Sequence, residues 1–208
     1  MARYKGPVCR QCRREGMKLL LKGERCDSIK CPIEKKKDVP GVAIKRRKNL
    51  SEYGLQLREK QKVKRCYCLL EKQFRNYFKK ALRIPGATGQ NLLILLEKRL
   101  DNAVFRLGFA SSRAAARQLV RHSNITVNGK KTNIPSYQIK VGDVIALTSS
   151  YSENNHCKEA LQRVMAIGTR SWLELDCDNK QGKVIAAPSR TDIDIQVNEN
   201  MIVELYNR

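Results

Sequence analysis

The fold is decided by residues 95–147, which read LLEKRLDNAVFRLGFASSRAAARQLVRHSNITVNGKKTNIPSYQIKVGDVIAL. Leucine and valine side chains recur at steps of three and four from Leu92 to Leu107, a spacing that predicts the apolar face of a helix. Gly108 follows, and glycine readily adopts the left-handed conformation that ends a helix. The stretch is therefore predicted to begin with one helix that ends at this glycine.

A second, shorter helix is predicted after Gly108, with Ser111 or Ser112 as its N-cap. Its apolar side is formed by Ala115, Ala116, Leu119 and Val120. Arg113, Arg117 and Arg121 lie four residues apart on this helix, so we predict that they form a single basic ridge. A solvated surface is the usual alternative, but no acid stands at the i+4 positions to neutralise the ridge.

A hairpin is predicted after the second helix. Ile125–Val127 and Lys130–Thr132 flank Asn128-Gly129, a pair that tolerates the positive φ angles of a type I′ turn. A further strand, Val144–Leu147, follows the turn at 141–143. Phosphate backbones bind clusters of cations by charge neutralisation, which tolerates imprecise placement. The predicted RNA-binding residues of this stretch are Arg113, Arg117, Arg121, Lys130 and Lys131.

The strings RLDNAVFRLGFASSRAAARQLV, ITVNGKK and IPSYQIKVGDVI closely resemble the small RNA-binding module known as the S-four domain. The resemblance implies two helices followed by a small sheet that binds structured RNA. It agrees with the RNA contacts that the spacing of the cations predicts.

The charge of the 208-residue chain is strongly asymmetric. Its formal net charge is +22, divided as +18 over residues 1–87, +6 over 88–147 and −2 over 148–208. A compact protein with this charge repels itself unless an anion neutralises it, and nucleic acid is the anion that we expect. We find no apolar run of about 18 residues, no lipidation signal and no secretory signal, so we predict no membrane partner and a reducing compartment.

Four cysteines near the N-terminus have the spacing of a structural zinc site. Cys9 and Cys12 form a C-x2-C pair, and Cys26 and Cys31 form a second pair with four residues between them. Four thiolates complete a tetrahedral zinc site and leave no open position for catalysis. An iron–sulfur cluster, disulfides and unligated cysteines are the alternatives. A second metal site, or a nucleophile formed by His156 and Cys157, is not predicted.

The remaining chain is divided by composition. Residues 35–48 are mostly Lys, Arg, Pro and Gly, which indicates an arm that orders against a partner or a flexible linker. A long helix is predicted from Ser51 to Leu82, because apolar residues recur there at steps of three and four. The rest of its surface is cationic and is predicted to face phosphate on more than one side, through Lys60, Lys62, Lys64, Arg65, Lys72, Arg75 and Lys79. Beyond residue 148 we predict a helix near 160–165 and strands at 172–175, 183–186, 193–195 and 201–205.

We therefore predict an α+β fold: a mostly helical first domain with a zinc knuckle, an inserted two-helix and small-sheet RNA-binding module, and C-terminal strands that return to the first domain. The predicted segments are 1–50 (zinc knuckle and basic arm), 51–91 (helical part of the first domain), 92–150 (S-four module) and 151–208 (C-terminal strands and a helix packed on the first domain). The RNA contacts predicted in the first domain are Arg3, Arg10, Arg13, Arg14, Arg46, Arg47, Arg58, Lys64 and Arg65.

Further strings extend the resemblance over nearly the whole chain. MARYKGPVCRQCRREG, LSEYGLQLREKQKVKRCYCLLEKQFRNYF and VNENMIVELYNR are similar to the bacterial family of small-subunit ribosomal protein four, in the form that keeps four cysteines. The resemblance implies a protein that binds 16S ribosomal RNA directly and nucleates assembly of the subunit body. It also implies contact with ribosomal protein five, an influence on decoding accuracy, a place beside incoming messenger RNA, and in some members repression of their own messenger. A ribosome of the cytoplasm is the expected location, with the plastid stroma as the alternative.

Two other functions are the alternatives to a ribosomal constituent. Arg99-Leu100-Asp101 is similar to the string that carries the catalytic aspartate of pseudouridine synthases, but 208 residues leave no room for their catalytic domain, so we predict that the chain is not an enzyme. A free-standing RNA chaperone or messenger repressor is the stronger rival, and co-sedimentation with ribosomal subunits separates it from a ribosomal constituent.

Overall fold

The computed structural model describes residues 3–41, 50–152 and 154–207. The chain divides into two compact units: unit 1 comprises Met1–Leu92 with Ile195–Arg208, and unit 2 comprises Leu93–Asp194. Within the described ranges, every helix is too short or too polar to cross a membrane. The predicted contacts Arg46 and Arg47, and half of the basic arm (42–48), lie outside the described residues.

Unit 1 is built from helices. They are α1 (Cys9–Glu15), a 3-10 helix (Gly23–Cys26), α2 (Glu52–Cys66), α3 (Glu71–Ala81), the first half of α4 (Thr88–Glu97) and the C-terminal α9 (Glu199–Asn207). Ser51 caps α2, since its Oγ accepts a hydrogen bond from the N–H of Gly54 at 3.2 Å.

Two sequence predictions for unit 1 are wrong. The single helix predicted from Ser51 to Leu82 is interrupted after Cys66, where Cys68 has a left-handed φ of +54°. The strand predicted at 201–205 is a helix, α9, which packs against α2. Ile202 is fully buried and the Tyr206 ring stacks on Phe78 at a centroid distance of 4.5 Å, so a spacing of four residues places both side chains on the packed face.

Unit 2 contains two short helices, α5 (Leu100–Arg106) and α6 (Arg113–Arg121), and a sheet. The later elements are β1 (Ile125–Val127), β2 (Lys130–Lys131), β3 (Val144–Leu147), α7 (Ser149–Ser152), α8 (Asn155–Ile167), β4 (Leu173–Asp176) and β5 (Gln181–Val184). The sheet is antiparallel with the strand order β2-β1-β3-β5-β4. The core between helices and sheet includes Leu100, Leu107, Ile125, Ile145 and Trp172.

The turn chemistry of unit 2 follows the sequence prediction. Gly108 has a φ of +80°, and Asn128 and Gly129 have φ angles of +50° and +77° in the hairpin turn. Ser112 Oγ accepts a hydrogen bond from the N–H of Ala115 at 3.3 Å, which caps α6. These features and the mixed helix and sheet content confirm the α+β class and the hairpin. The single helix predicted from Leu92 to Leu107 is wrong: α4 ends at Glu97 and α5 begins at Leu100, because Arg99 between them has an extended backbone that bridges to Gln138.

The prediction that the C-terminal strands return to the first domain is wrong. β5 pairs with β3, and β4 pairs with β5, so both strands extend the sheet of unit 2. Their inward residues Leu173 and Val184 are buried in the core of this unit, which gives the physical reason for the pairing. Residues 193–195 form no strand, and only the chain from Ile195 onward belongs to unit 1.

Candidate nucleic-acid interface

The three arginines of α6 do not form a ridge that faces solvent. Arg113 and Arg117 are 7% and 3% exposed, whereas Arg121 is exposed. The four-residue spacing places Arg113 and Arg117 on the same side of α6 as the buried Ala116 and Val120. The predicted basic ridge is therefore corrected to one exposed arginine and two arginines inside the module.

Arg117 is held by a carboxylate on the neighbouring helix. Its Nη1 donates to Asp101 Oδ2 at 3.0 Å. Arg99, which is fully buried, donates to the same carboxylate through Nε at 3.0 Å and Nη2 at 2.6 Å. Burial of an unpaired guanidinium is costly, so this shared carboxylate allows both arginines to be buried.

Arg113 belongs to a second internal network. Its Nε donates to Asn102 Oδ1 at 2.8 Å, and its guanidinium lies 4.6 Å from the ring centroid of Phe105. The Asn102 amide donates in turn to the carboxylate of Glu97, which also accepts from Arg106 Nη2 at 2.8 Å. The side chain of Glu97 is fully buried, so this network fixes the join between α4, α5 and α6.

The cations of unit 2 that are predicted to bind RNA and are exposed are Arg121, Lys130 and Lys131. Lys131 pairs in register with Thr126, so its side chain lies on the outer face of the sheet, opposite the core face of Ile125 and Val127. The structure assigns these three residues no ion pair within the ranges it describes. They can neutralise phosphates without breaking an internal bond.

Three of the contacts predicted in unit 1 are engaged internally. The carboxylate of Glu15, whose side chain is fully buried, accepts from Arg58 Nη1 at 3.2 Å and also from Arg65. Burial raises the pKa of Glu15, and the two guanidinium groups oppose that shift. Lys64 Nζ lies 2.8 Å from Glu71 Oε2. These three cations have internal partners in place of solvent.

The cations of α1, and Arg3 before this helix, are placed differently. Arg3, Arg10 and Arg14 are exposed, and Arg13 donates from Nη1 to the carbonyl of Asp38 at 3.1 Å. Arg10 and Arg13 line an open cleft of about 430 Å³ together with Lys37 and the chain from Asp38 to Gly41. This cleft brings three cations to one surface of unit 1.

Exposed cations also lie on α3 and just beyond its end. Lys72, Arg75 and Lys79 are among those predicted to face phosphate on the cationic helix, and each is exposed. The sequence analysis did not include the equally exposed Lys80 and Arg83. The signal that could have found them is the amphipathic pattern of the helix. Phe74, Tyr77, Phe78 and Ala81 are buried, so the cations at the intervening positions must lie on the opposite side.

The four N-terminal cysteines lie on α1, the 3-10 helix and the turn after it. Cys12, Cys26 and Cys31 are buried, Cys9 is half-buried, and all four are free thiols. The backbone N–H of Leu19 donates to the sulfur of Cys12. The backbone N–H of Lys22 donates to the sulfur of Cys26 at 3.3 Å. Burial raises the pKa of Cys12, and the nearby sulfurs of the other three cysteines raise it further. Among the described residues, however, no group of three or more His, Cys, Asp or Glu side chains has the arrangement of a metal site.

Comparison with known proteins agrees with the S-four resemblance. A family model described as the ribosomal protein S4/S9 N-terminal domain matches residues 3–97, and one described as the S4 domain matches residues 98–145. The chain is 57% identical to the small ribosomal subunit protein uS4 of Desulforamulus reducens. It is 55% and 56% identical to the proteins of that name from Pelotomaculum thermopropionicum and Heliobacterium modesticaldum. Each of these alignments covers the whole of both chains.

Proposed function

Because the chain belongs to the family of small ribosomal subunit protein uS4, we propose that its exposed cations bind 16S ribosomal RNA through the phosphate backbone. The protein is a structural constituent of the small ribosomal subunit and not an enzyme. Its aspartate in the Arg-Leu-Asp string, Asp101, is occupied by two arginines, which agrees with a structural role for that residue.

The division of the cations between internal and exposed positions is the observation that supports this mode of binding. Unit 1 has 27 Lys and Arg against 10 Asp and Glu, so its cations outnumber its acids. Within the described ranges, the exposed cations of α1 and α3 have no carboxylate partner. Structured RNA presents phosphates and 2′-hydroxyls more readily than base edges. A protein that binds by such cations reads the shape of an RNA junction.

We further propose that Cys9, Cys12, Cys26 and Cys31 hold one structural zinc ion. Four sulfur donors of this spacing suit zinc, and backbone N–H groups that donate to Cys12 and Cys26 favour the thiolate form that zinc requires. Zinc would supply a fixed link between α1 and the 3-10 helix. Metal analysis of the purified protein, with a Cys12→Ser variant as the control, tests this: about one zinc per chain is expected, and a metal content unchanged by the substitution would contradict it.

The finer roles proposed for this chain follow from the family. They are early binding that nucleates assembly of the subunit body, contact with ribosomal protein five and with incoming messenger RNA, an influence on accuracy, and repression of its own messenger. The polycationic surface of unit 1 supports early binding, because strong electrostatic attraction speeds association with RNA.

The function is tested by binding of the full chain to a 16S junction fragment against excess transfer RNA at two salt concentrations. We expect binding that survives the competitor and weakens steeply with salt. Binding no tighter than that to transfer RNA, together with failure to co-sediment with small subunits, would favour a general RNA chaperone.

A further inference from the structure

The strand β4 lies at one end of the sheet of unit 2, so one of its edges has no neighbouring strand among the described residues. The register determines which main-chain groups face that free edge. The carbonyl of Trp172 accepts from the N–H of Ile185 at 3.0 Å, so residues 172, 174 and 176 direct their N–H and C=O groups to β5. The N–H and C=O of Leu175 therefore point outward, and within the described ranges they form no main-chain hydrogen bond.

A free strand edge is a template for another strand, and proteins commonly protect it with a proline, a bulge or a lysine. β4 reads LELD and pairs with β5 over four residues in continuous register, so it has none of these three features. The strand at the other end of the sheet, β2, consists of Lys130 and Lys131 and is protected by both its shortness and its charge. Of the two ends of the sheet, β4 is therefore the one that is open to a partner.

The two faces beside the free edge differ in chemistry. On the outer face Glu174 and Asp176 are exposed, and the exposed Asp178 follows in the turn. On the core face Leu173 is buried but Leu175 is only half-buried, which leaves apolar surface beside the edge. A strand that is added here meets carboxylates on one face and a leucine side chain on the other.

The carboxylates of this edge are available to a cation. Asp176 accepts from the side-chain amide of Asn179 at 2.7 Å and from the N–H groups of Asn179 and Asp178, and these hydrogen bonds lower its pKa and keep it ionised. Lys183 lies opposite Glu174 in register, but no ion pair joins them. Within the part of the chain that the structure describes, none of the three acids forms an ion pair.

The simplest alternative is that these acids only keep two copies of the chain from pairing through β4, because like charges would then meet. Charge of either sign would serve that purpose. It does not explain an acidic edge in a chain that has 42 Lys and Arg against 20 Asp and Glu and that protects its other edge strand with lysine. Carboxylates repel phosphates, so this edge disfavours RNA and favours a cationic partner.

We propose that the free edge of β4 is a docking site for a basic extended segment of another protein of the small subunit, which adds to the sheet as a further strand. Main-chain hydrogen bonds to Leu175 hold the segment, and its alternate Lys or Arg side chains lie against Glu174 and Asp176. This docking site goes beyond the proposed function and depends on it only for the source of the partner. A protein that shares a subunit with RNA is expected to be basic, because it too neutralises phosphates.

The edge is tested in the full chain with a capped peptide of about eight residues in which lysine alternates with valine. We expect the amide signal of Leu175 to shift in an NMR titration and its hydrogen exchange to slow. Glu174→Lys with Asp178→Lys should bind the peptide at least ~10-fold more weakly. Glu24→Lys with Asp38→Lys, an equal change of charge at exposed acids of unit 1, should stay within about twofold of wild type, because salt screens distant charges.

A second pair of variants tests the main-chain hydrogen bonds. Leu175→Pro removes the outward N–H but keeps the bonds of residues 174 and 176 to β5, and proline is tolerated on an edge strand. The affinity for the peptide should fall about 2- to 10-fold. Leu175→Val keeps the N–H and should bind as wild type does. Equal affinity of all variants, or an equal loss for proline and valine, would overturn strand addition.

Hydrogen exchange of residues 173–178 in assembled small subunits tests the partner. We expect slower exchange than in the free chain, and loss of this protection when Glu174→Lys with Asp178→Lys is incorporated. Unchanged exchange in the subunit would overturn the docking site. Protection by protein-free 16S RNA, or protection of the free chain that rises with its concentration, would also overturn it and would identify RNA or a second copy as the occupant. Failure of the wild-type chain to enter subunits would instead refute the proposed function, and the peptide titration would still decide whether β4 accepts a basic strand.

Discussion

α6 and α3 look alike in sequence, because each carries basic residues at steps of three or four, but the structure uses these residues in opposite ways. On α6, Arg113 and Arg117 are buried and bonded to Asn102 and Asp101. On α3, the corresponding cations are exposed. The difference lies in the neighbouring elements: α6 has no acid of its own but packs beside the carboxylate of α5, while the acid of α3 is bonded to residues of α2 and α9.

Acids that are close in sequence are therefore a poor guide to which cations are neutralised. A buried arginine must have a partner, because an uncompensated guanidinium in the interior costs several kcal/mol. An exposed lysine needs none, since water solvates it and a surface pair contributes about 0–1 kcal/mol. The buried cations of α6, Arg113 and Arg117, are therefore expected to affect stability, and the exposed cations of α3 to affect RNA binding.

The largest effect is expected for Asp101→Ala. The change leaves Arg99 and Arg117 buried without their shared carboxylate, so the free energy of unfolding should fall by about 3–5 kcal/mol. Urea unfolding followed by fluorescence of Trp172 measures this, because the only tryptophan of the chain is buried in the core of unit 2. Asp178→Ala, at an exposed acid, is the control. A loss below about 1 kcal/mol would mean that the buried arginines do not depend on Asp101.

A smaller but substantial effect is expected for Tyr206→Ala. The change removes the ring that stacks on Phe78 and the hydroxyl that donates to Glu71, and we expect unit 1 to lose about 2–4 kcal/mol. Hydrogen exchange of the α3 amides should accelerate, while exchange in α6 should not change. Tyr206→Phe keeps the ring and should lose only about 1 kcal/mol. Equal losses in the two variants would show that the ring contributes little to anchoring α3.

The sequence predicted features whose signals are local. Gly108, the Ser112 cap and the Asn128-Gly129 turn each depend on the conformation of a few residues, and all three were predicted correctly. The break after Cys66 was missed because apolar spacing continues across it, from Val63 to Phe74, and a left-handed residue at Cys68 has no composition signal.

Features set by distant parts of the chain could not be predicted in this way. The pairing of β5 with β3 joins residues about 40 positions apart, and a short apolar run such as 201–205 fits a strand or a helix until its neighbour is known. The candidate site shows the same limit. The partner of Arg117 lies 16 residues away on another helix. The residues at the i+4 positions therefore could not indicate that Arg117 is buried.

A moderate, pH-dependent effect is expected at Glu71. Burial raises its pKa, but hydrogen bonds from Lys60, Lys64 and Tyr206 outweigh burial and lower the pKa to about 2, from 4.5. A group whose pKa is lowered on folding stabilises the folded state at pH values above its pKa in the unfolded chain. That stabilisation is lost as the pH falls through its pKa in the folded state. Because the side chain is 46% exposed, solvent screening limits the contribution near neutral pH to about 1 kcal/mol.

Glu71→Gln should therefore destabilise unit 1 by that amount at pH 6, and the difference from wild type should shrink as pH falls from about 4.5 towards 2. Unfolding free energies of both proteins across this range measure it, with Glu24→Gln at an exposed position as the control. A difference that stays constant with pH would show that Glu71 acts by packing and not through its charge.

The smallest effect on stability is expected for Arg121→Ala. This variant can be compared with Arg117→Ala, because the two arginines lie on the same helix and differ in exposure. Arg121 is exposed, so the free energy of unfolding should change by less than about 0.5 kcal/mol. Its loss should weaken binding to the 16S junction fragment several-fold and reduce the salt slope by about 1. Arg117→Ala, in contrast, should lower the free energy of unfolding by about 2 kcal/mol or more, because it removes a buried partner of Asp101. If both variants lost stability equally, exposure would not separate structural arginines from those available to RNA, and the assignment of the α3 cations to RNA would lose its basis.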